Sequence, residues 1–177
     1  MLRLIYDNLE HFLCIVILIG RIGDIGSTWL VTPRLKLEAN PIVRKLRWPF
    51  AFATLALCLV PYWNTTAALP LAVVFLLVTA QNLSGAWLAR ALGEDRYLDL
   101  LRTAARSSDP FAAIGLVWAS SAFFVLAGLL LLVFYPHTNE DWGFWYAAGI
   151  VLFGLVGGLY RSLFLRRLFR TAVAEDE

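Results

Sequence analysis

The stretch LEHFLCIVILIGRIGDIGSTWLVTPRLKLEANPIVRKLR, residues 9–47, joins an apolar run to a loop crowded with positive charge. At 1.5 Å per residue, the run from Leu9 to Val31 covers a hydrocarbon core of ~30 Å. Arg34, Lys36, Arg44, Lys45 and Arg47 follow it closely. Basic loops stay on the cytoplasmic side of a membrane, so this one predicts the orientation of the span before it.

The rest of the chain repeats the pattern. Of 177 residues, 60% are apolar and 16% charged, and the mean hydropathy is +0.70. Ordinary soluble domains are about 45–50% apolar and about 25% charged. The composition excludes disorder, collagen, a disulfide scaffold and a basic nucleic-acid-binding domain. Further apolar runs cover about 46–63, 67–92, 111–135 and 142–165. The expected fold is all-α: a polytopic integral membrane protein with five transmembrane helices in a single domain over 1–177. The run at 9–31 reads as a retained span, since MLRLIYDNLEHF carries neither a strongly basic start nor an A-x-A cleavage site.

The loops agree with one another. Arg90, Arg96, Arg102 and Arg106 lie between the third and fourth runs, and Arg161, Arg166, Arg167 and Arg170 lie towards the end. The connections Asn64–Thr66 and Pro136–Asp141 carry no Lys or Arg. Positive-inside bias then places the N-terminus outside, the C-terminus inside, and the chain in a cell (inner) membrane as a multi-pass protein. Tyr62, Trp63, Tyr135, Trp142, Trp145 and Tyr146 fall at the outer interface and Trp48 at the inner one, the depth that amphipathic rings favour. Cys14 and Cys58 both lie in apolar runs, so no disulfide framework is expected and the redox compartment stays open.

Local signals refine the plan. Asn40-Pro41 and Asp109-Pro110 each pair a capping side chain with proline at the first helical position. The second helix should start near Asn40, lie along the surface for two turns and be kinked into the bilayer by Pro49. Glu94 to Arg106 reads as a short interfacial helix with Tyr97, Leu98, Leu101 and Ala105 on one face. Gly154 and Gly158 form a small-xxx-small pair for close helix contact. No internal repeat is visible, which gives no support to an inverted-repeat transporter.

Arg21 and Asp24 lie inside an apolar run. Charges at such depth cost several kcal/mol unless paired or hydrated. Arg21, Asp24 and Thr28 share a helix face, and Gly20, Gly23 and Gly26 thin the helix beside them. In a purely structural reading Arg21 and Asp24 neutralise each other, or Asp24 pairs with Arg90 or Arg161. In a functional reading, the loop folds back so that Glu38 and Asn40 meet Asp24 and Thr28. Two carboxylates beside amide and hydroxyl oxygens can hold a hard cation or share a proton. Gln81, Asn82, Ser84, Ser120, Ser121 and Arg161 lie at compatible depth and open the prospect of one shared polar cavity. For each of them, helix–helix hydrogen bonding is the simpler account.

Other signals are weak. His11 and Cys14 do not make a metal site, and none is expected. His137, Asn139, Glu140 and Asp141 read as a solvated loop, and Asn64-Thr65-Thr66 as a glycosylation pattern in too short a loop. Phosphate-loop, nucleophile-elbow, zincin and dinucleotide motifs are absent from the sequence.

Asp24-x-x-x-Thr28, a short basic loop and Glu38-x-Asn40-Pro41 together resemble a family of small, functionally uncharacterised prokaryotic membrane proteins. The resemblance covers about 25 residues and implies that Asp24, Thr28, Glu38, Asn40 and Pro41 work as a unit. Arg21 lies outside that pattern. It implies no known activity and no cofactor.

The leading expectation is a cytoplasm-facing intramembrane site that binds or translocates a small solute or ion. Asp24 and Glu38 would carry the charge, Thr28, Asn40 and Asn82 would orient the ligand, and Arg21 would balance charge. Alternatives are an accessory or scaffold subunit, docking through Gly154/Gly158 and anionic lipid through Arg166, Arg167 and Arg170, and a lipid-acting membrane enzyme. No catalytic set is complete, which weighs against the enzyme. Expected partners are membrane lipid and other membrane subunits or further copies of the chain, with no nucleic acid.

Overall fold

A computed structural model describes residues 8–134 and 142–174, and among them every element is helical. The elements are α1 (Leu9–Val31), α2 (Pro41–Ala53), the 3₁₀ helix η1 (Thr54–Tyr62), α3 (Thr65–Leu92), α4 (Glu94–Arg106), α5 (Pro110–Phe134) and α6 (Trp142–Ala174). Four helices, α1, α3, α5 and α6, are long and apolar enough to cross a membrane. The chain is a multi-pass helical membrane protein.

The starts of the helices follow from their caps. Asn40 Oδ1 accepts from the N–H of Ile42 at 2.9 Å, with Pro41 next in line. The carboxylate of Asp109 accepts from Phe111 and Ala112 at 3.3 and 3.0 Å. Asn64, read in sequence as a glycosylation pattern, caps α3 by accepting from Ala67 at 2.9 Å. Each bond satisfies a donor that the first helical turn cannot.

The second apolar run is not one of the four long helices. It breaks at Arg47, whose φ of 59° and ψ of −159° are non-helical, two residues before the expected kink at Pro49. Such a backbone costs of order 1–3 kcal/mol. Pro49 has no N–H to return to the Lys45 carbonyl and its ring crowds that carbonyl, so the helical ladder is interrupted across the turn that contains Arg47. The turn brings Trp48 onto Trp29, with ring centroids 4.7 Å apart, and lets its indole N–H donate to the Pro33 carbonyl at 3.0 Å. Beyond Ala53 the chain tightens into η1, which contains Pro61.

The segment from Trp48 to Tyr62 runs antiparallel beside α1. Trp48 meets Trp29 at one end, Thr54 meets Arg21 midway, and Tyr62 meets His11 at the other. Packing then proceeds sideways from η1 to α1, from α1 to α3, from α3 to α6 and from α6 to α5. Interior contacts depend on small residues: Leu13 and Ile17 of α1 bury against Ala68 and Ala72 of α3. Large apolar side chains point outwards, among them Phe111, Leu116, Phe123 and Val133 of α5. In lipid that is the inexpensive face.

At the basic end the sequence reading needs two changes. α6 continues past residue 165 to Ala174, a length of about 50 Å at 1.5 Å per residue. The apolar face of α4, expected to lie on lipid, packs on this extension: Leu98 and Ala105 bury against Leu168 and Ala172, with Leu37 and Leu101 beside them. An apolar helix face takes whatever apolar cover is nearest, and here the chain supplies its own. The connection at 135–141, with His137, Asn139, Glu140 and Asp141, lies outside the described residues.

Candidate functional site: a charge network between three helices

Arg21 sits on α1, buried to 8% exposure. Its guanidinium forms an ion pair with Asp24 one turn along and donates a second hydrogen bond to the Thr54 hydroxyl on η1. The cation also lies over the Phe75 ring, 4.8 Å from the centroid, while its Nε is buried without a hydrogen-bond partner. Asp24 takes its second direct bond from α3, where the Asn82 amide donates to Oδ1 at 2.8 Å. Three separate segments thus converge on one carboxylate–guanidinium pair.

Two glycines make this approach possible. A Cβ on Gly20 would come within 2.9 Å of the Phe75 Cβ, and one on Gly23 within 2.6 Å of the Thr79 methyl. With hydrogen there instead, Thr79 slides in and donates its hydroxyl to the Gly20 carbonyl at 2.7 Å. Gly26 differs, because nothing lies within 4 Å of a Cβ built on it.

The loop from Thr32 to Asn40 closes over the basic end of α1, tied down by Glu94, the first residue of α4. Glu94 accepts from the Thr32 hydroxyl, from the N–H of Lys36 at 2.8 Å and from the N–H of Arg34 at 3.3 Å. Lys36 and Arg34 pair with the neighbouring Asp95, and Arg167 of α6 donates to the Lys36 carbonyl. The ammonium of Lys36 beside Asp95 holds that carboxyl below the usual aspartate range. Thr32 closes the other side, receiving the N–H of Leu37 at 3.1 Å on its hydroxyl.

This anchored loop delivers Glu38. Its carboxylate accepts the Asn40 N–H at 2.7 Å, and it lies close enough to Asp24 to feel that charge. Burial pushes the Glu38 carboxyl above the ordinary glutamate value, and the Asp24 charge adds to the rise. The Asn40 hydrogen bond, the Ala39 backbone and Arg44 oppose it.

The residues singled out in sequence divide accordingly. Arg21, Asp24 and Asn82 are joined directly, with Glu38 nearby. Thr28 stands on the same face, and its carbonyl receives the Thr32 N–H at 2.8 Å. The Asn40 side-chain oxygen is occupied by capping α2. Arg161 meets not Asp24 but Ser121, at 3.3 Å, and its own Gly157 carbonyl, at 3.1 Å. Ser84 and Ser120 bond carbonyls of their own helices. The polar groups therefore form two clusters, Arg21/Asp24/Asn82/Thr54 and Ser121/Arg161, rather than one shared set.

Sequence reasoning passed over Thr54, Thr79, Thr32 and Glu94. A hydroxyl in an apolar run was the available signal for Thr54 and Thr79. Glu94 follows a glycine and opens a helix, which marks the helix start but not the loop it would hold.

No protein-family model, curated protein or solved structure matches this chain. What fold and site define together is a class: a multi-pass helical membrane protein with a buried Arg–Asp pair where three segments meet.

Proposed function

We propose that the chain crosses the bilayer five times, with its basic end in the cytoplasm of an inner-membrane cell envelope. There it binds, and passes, a small solute or ion at Asp24 and Glu38. The fifth crossing would be the segment Trp48–Tyr62. At 1.5 Å per α-helical and ~2.0 Å per 3₁₀ residue it extends about 27 Å, close to a hydrocarbon core. It also follows α1 end to end, from Trp29 to His11.

The observation that carries the functional reading is the buried Arg21–Asp24 pair, with the Asn82 amide on the other carboxylate oxygen and the loop bearing Glu38 fastened over the same end of α1. Arg21 compensates one carboxylate through a direct ion pair. Glu38 is held by a backbone N–H instead, so the pair of acids retains capacity for one more positive charge. A proton or a small monovalent cation fits that account. A divalent ion fits it poorly, because calcium takes about six to eight oxygen ligands and the described residues hold no group of three acidic or imidazole or thiol ligands.

The accessory-subunit reading rested on Gly154 and Gly158. A Cβ on either would strike Ser121 of α5, within 2.9 and 2.8 Å, so the face is taken up within the chain. Of the basic tail, Arg166 and Arg170 are exposed and suit anionic lipid, while Arg167 is bonded to the Lys36 carbonyl. An acid–base role on lipid gains no support, because the Ser27 hydroxyl beside Asp24 bonds its backbone carbonyl and not its carboxylate.

The test uses the full-length protein in detergent, titrated with sodium, lithium or potassium chloride against choline chloride. A cation that binds the folded state raises the unfolding midpoint by mass action. The midpoint should rise with one alkali cation, or with falling pH if the ligand is a proton, and Glu38→Gln should abolish the rise. An unchanged response in Glu38→Gln and Asp24→Asn sinks the proposal and leaves a structural charge network.

A further inference from the structure

Arg161 of α6 stands apart from the Arg21–Asp24 network and has no carboxylate of its own. Its Nη2 donates to the Ser121 hydroxyl of α5 at 3.3 Å, and its Nε donates to the Gly157 carbonyl of its own helix at 3.1 Å. Among the described residues it enters no ion pair, and its Nη1 donates to nothing. Ser121 lies 11 residues after Pro110 and 13 before Phe134, the two ends of a helix long and apolar enough to cross a membrane. At 1.5 Å per residue it is about 16 Å from one end and about 20 Å from the other. Arg161 therefore holds its charge near mid-bilayer depth.

The direction of the side chain adds to this. An arginine near the end of a membrane helix extends towards the surface. Arg161 folds the other way, back along α6 to Gly157 and away from Arg166, Arg167 and Arg170. Glycine at 157 leaves that path open, since a Cβ there would meet only the Arg161 Nη2, at 3.5 Å. Arg161 is half-buried, so its guanidinium is held without being sealed. One residue on, Ser162 is 6% exposed, and its hydroxyl has no hydrogen-bond partner among the described residues. A charge inside a span needs a partner or water, and no described side chain supplies the opposite charge.

We propose that Arg161 and Ser121 form an anion site between α5 and α6, which takes a small, singly charged inorganic anion such as chloride or nitrate. Arginine carries five N–H donors, of which two are spent on Ser121 and Gly157. The Ser121 hydroxyl accepts from Arg161 and keeps its own proton to donate. One negative charge matches the one positive charge left over. A lipid phosphate carries the same charge, but it sits outside the ~30 Å core, about 15 Å from its middle. The site is separate from Asp24 and Glu38 and opposite to them in sign.

The test uses the full-length protein in a neutral detergent, titrated with sodium chloride and sodium nitrate, with sodium gluconate at equal ionic strength as reference. Sodium is the cation throughout, so the result does not depend on any cation held at Asp24. An anion that binds the folded state raises the unfolding midpoint by mass action. Chloride or nitrate should raise it several degrees above gluconate, and Arg161→Met should abolish the difference. In gluconate Arg161→Met should be at least as stable as the wild type, because it removes an unmatched charge instead of breaking a pair. Gly157→Leu keeps the charge but covers it, and should weaken the response several-fold. No difference between the anions in the wild type, an undiminished difference in Arg161→Met, or an unchanged response in Gly157→Leu overturns the proposal. So does a wild type that responds to added phosphatidylglycerol and to neither salt, which would assign the charge to lipid.

Discussion

The two halves of the bundle pack closely by the same device and differ in the charge they bury. Where α1 meets α3 and η1, Phe75 enters at Gly20 and Thr79 at Gly23, the Thr79 hydroxyl donates to the Gly20 carbonyl, and Arg21 reaches across to Thr54. Where α5 meets α6, the notches seat a serine and apolar side chains of the facing helix, with two backbone carbonyls among them. Gly154 and Gly158 lie against Ser121, and Gly128 lies against the Ala147 carbonyl. The first half buries a cation and an anion, whereas the second buries one arginine partly and leaves α5 largely covered in lipid-facing carbon. Close approach is thus a common device. What it brings together decides whether the contact holds only shape or also charge.

Three substitutions put pressure on that difference. The largest effect is expected from Arg21→Met, which leaves Asp24 buried without its cation. Breaking a buried pair from one side costs about 3–5 kcal/mol. Thermal unfolding in detergent should show a fall of many degrees, and the double variant Arg21→Met/Asp24→Leu should recover most of it. Failure of the double variant to recover would mean that Thr54 and Asn82 need the charges in place. Next comes Gly158→Leu, which drives a side chain into Ser121 and should cost about 1–3 kcal/mol through overpacking. Gly26→Leu, with open space around it, should stay within about 0.5 kcal/mol. Equal losses at the two positions would erase the distinction between notch and open face.

The smallest effect concerns pH. The Glu38 carboxyl titrates above the ordinary glutamate value, so its folded form holds a proton that its unfolded form gives up more readily. A raised acid pKa contributes stability that is full below the unfolded value, ~4.3, and is lost as pH rises through the folded value. Glu38→Gln should therefore flatten the decline of stability above that point and leave the variant slightly more stable at neutral pH. A steeper decline in the variant would place the dependence on another group.

Much of this was legible in sequence, for physical reasons specific to each element. The run at 9–31 became a helix with those bounds because nothing interrupts its apolar length, and Asn40-Pro41 marked a start because cap and ring leave few alternatives. The run at 46–63 looked equally continuous, but composition does not record backbone pitch. The break at Arg47 lies within the turn that Pro49 deprives of a hydrogen bond, and the tightening into η1 beyond Ala53 has no signal in the composition. Arg21 and Asp24 were visible because charge in an apolar run is rare. Their partners Thr54 and Asn82 come from segments about 33 and 58 residues away, and no local spacing announces such pairings. Asn64 sits in a glycosylation pattern whose loop read as too short to present it, and its side chain caps α3, a role the sequence reading did not assign.

The clamp on the loop before Asn40 has a consequence for assembly. Glu94 closes on residues 58 to 62 positions earlier, and Arg167 reaches the Lys36 carbonyl across 131 positions. Chains emerge from the ribosome N-terminus first. The segment bearing Asp24 therefore enters the membrane with its covering loop unfastened. Glu94 supplies the first tie when α4 emerges, and the last waits for the far end of α6. The site is begun by the first helix made and finished by the final turns of the last, so a chain halted before Arg167 has every group that meets Asp24 directly and lacks part of the clamp that holds Glu38 nearby.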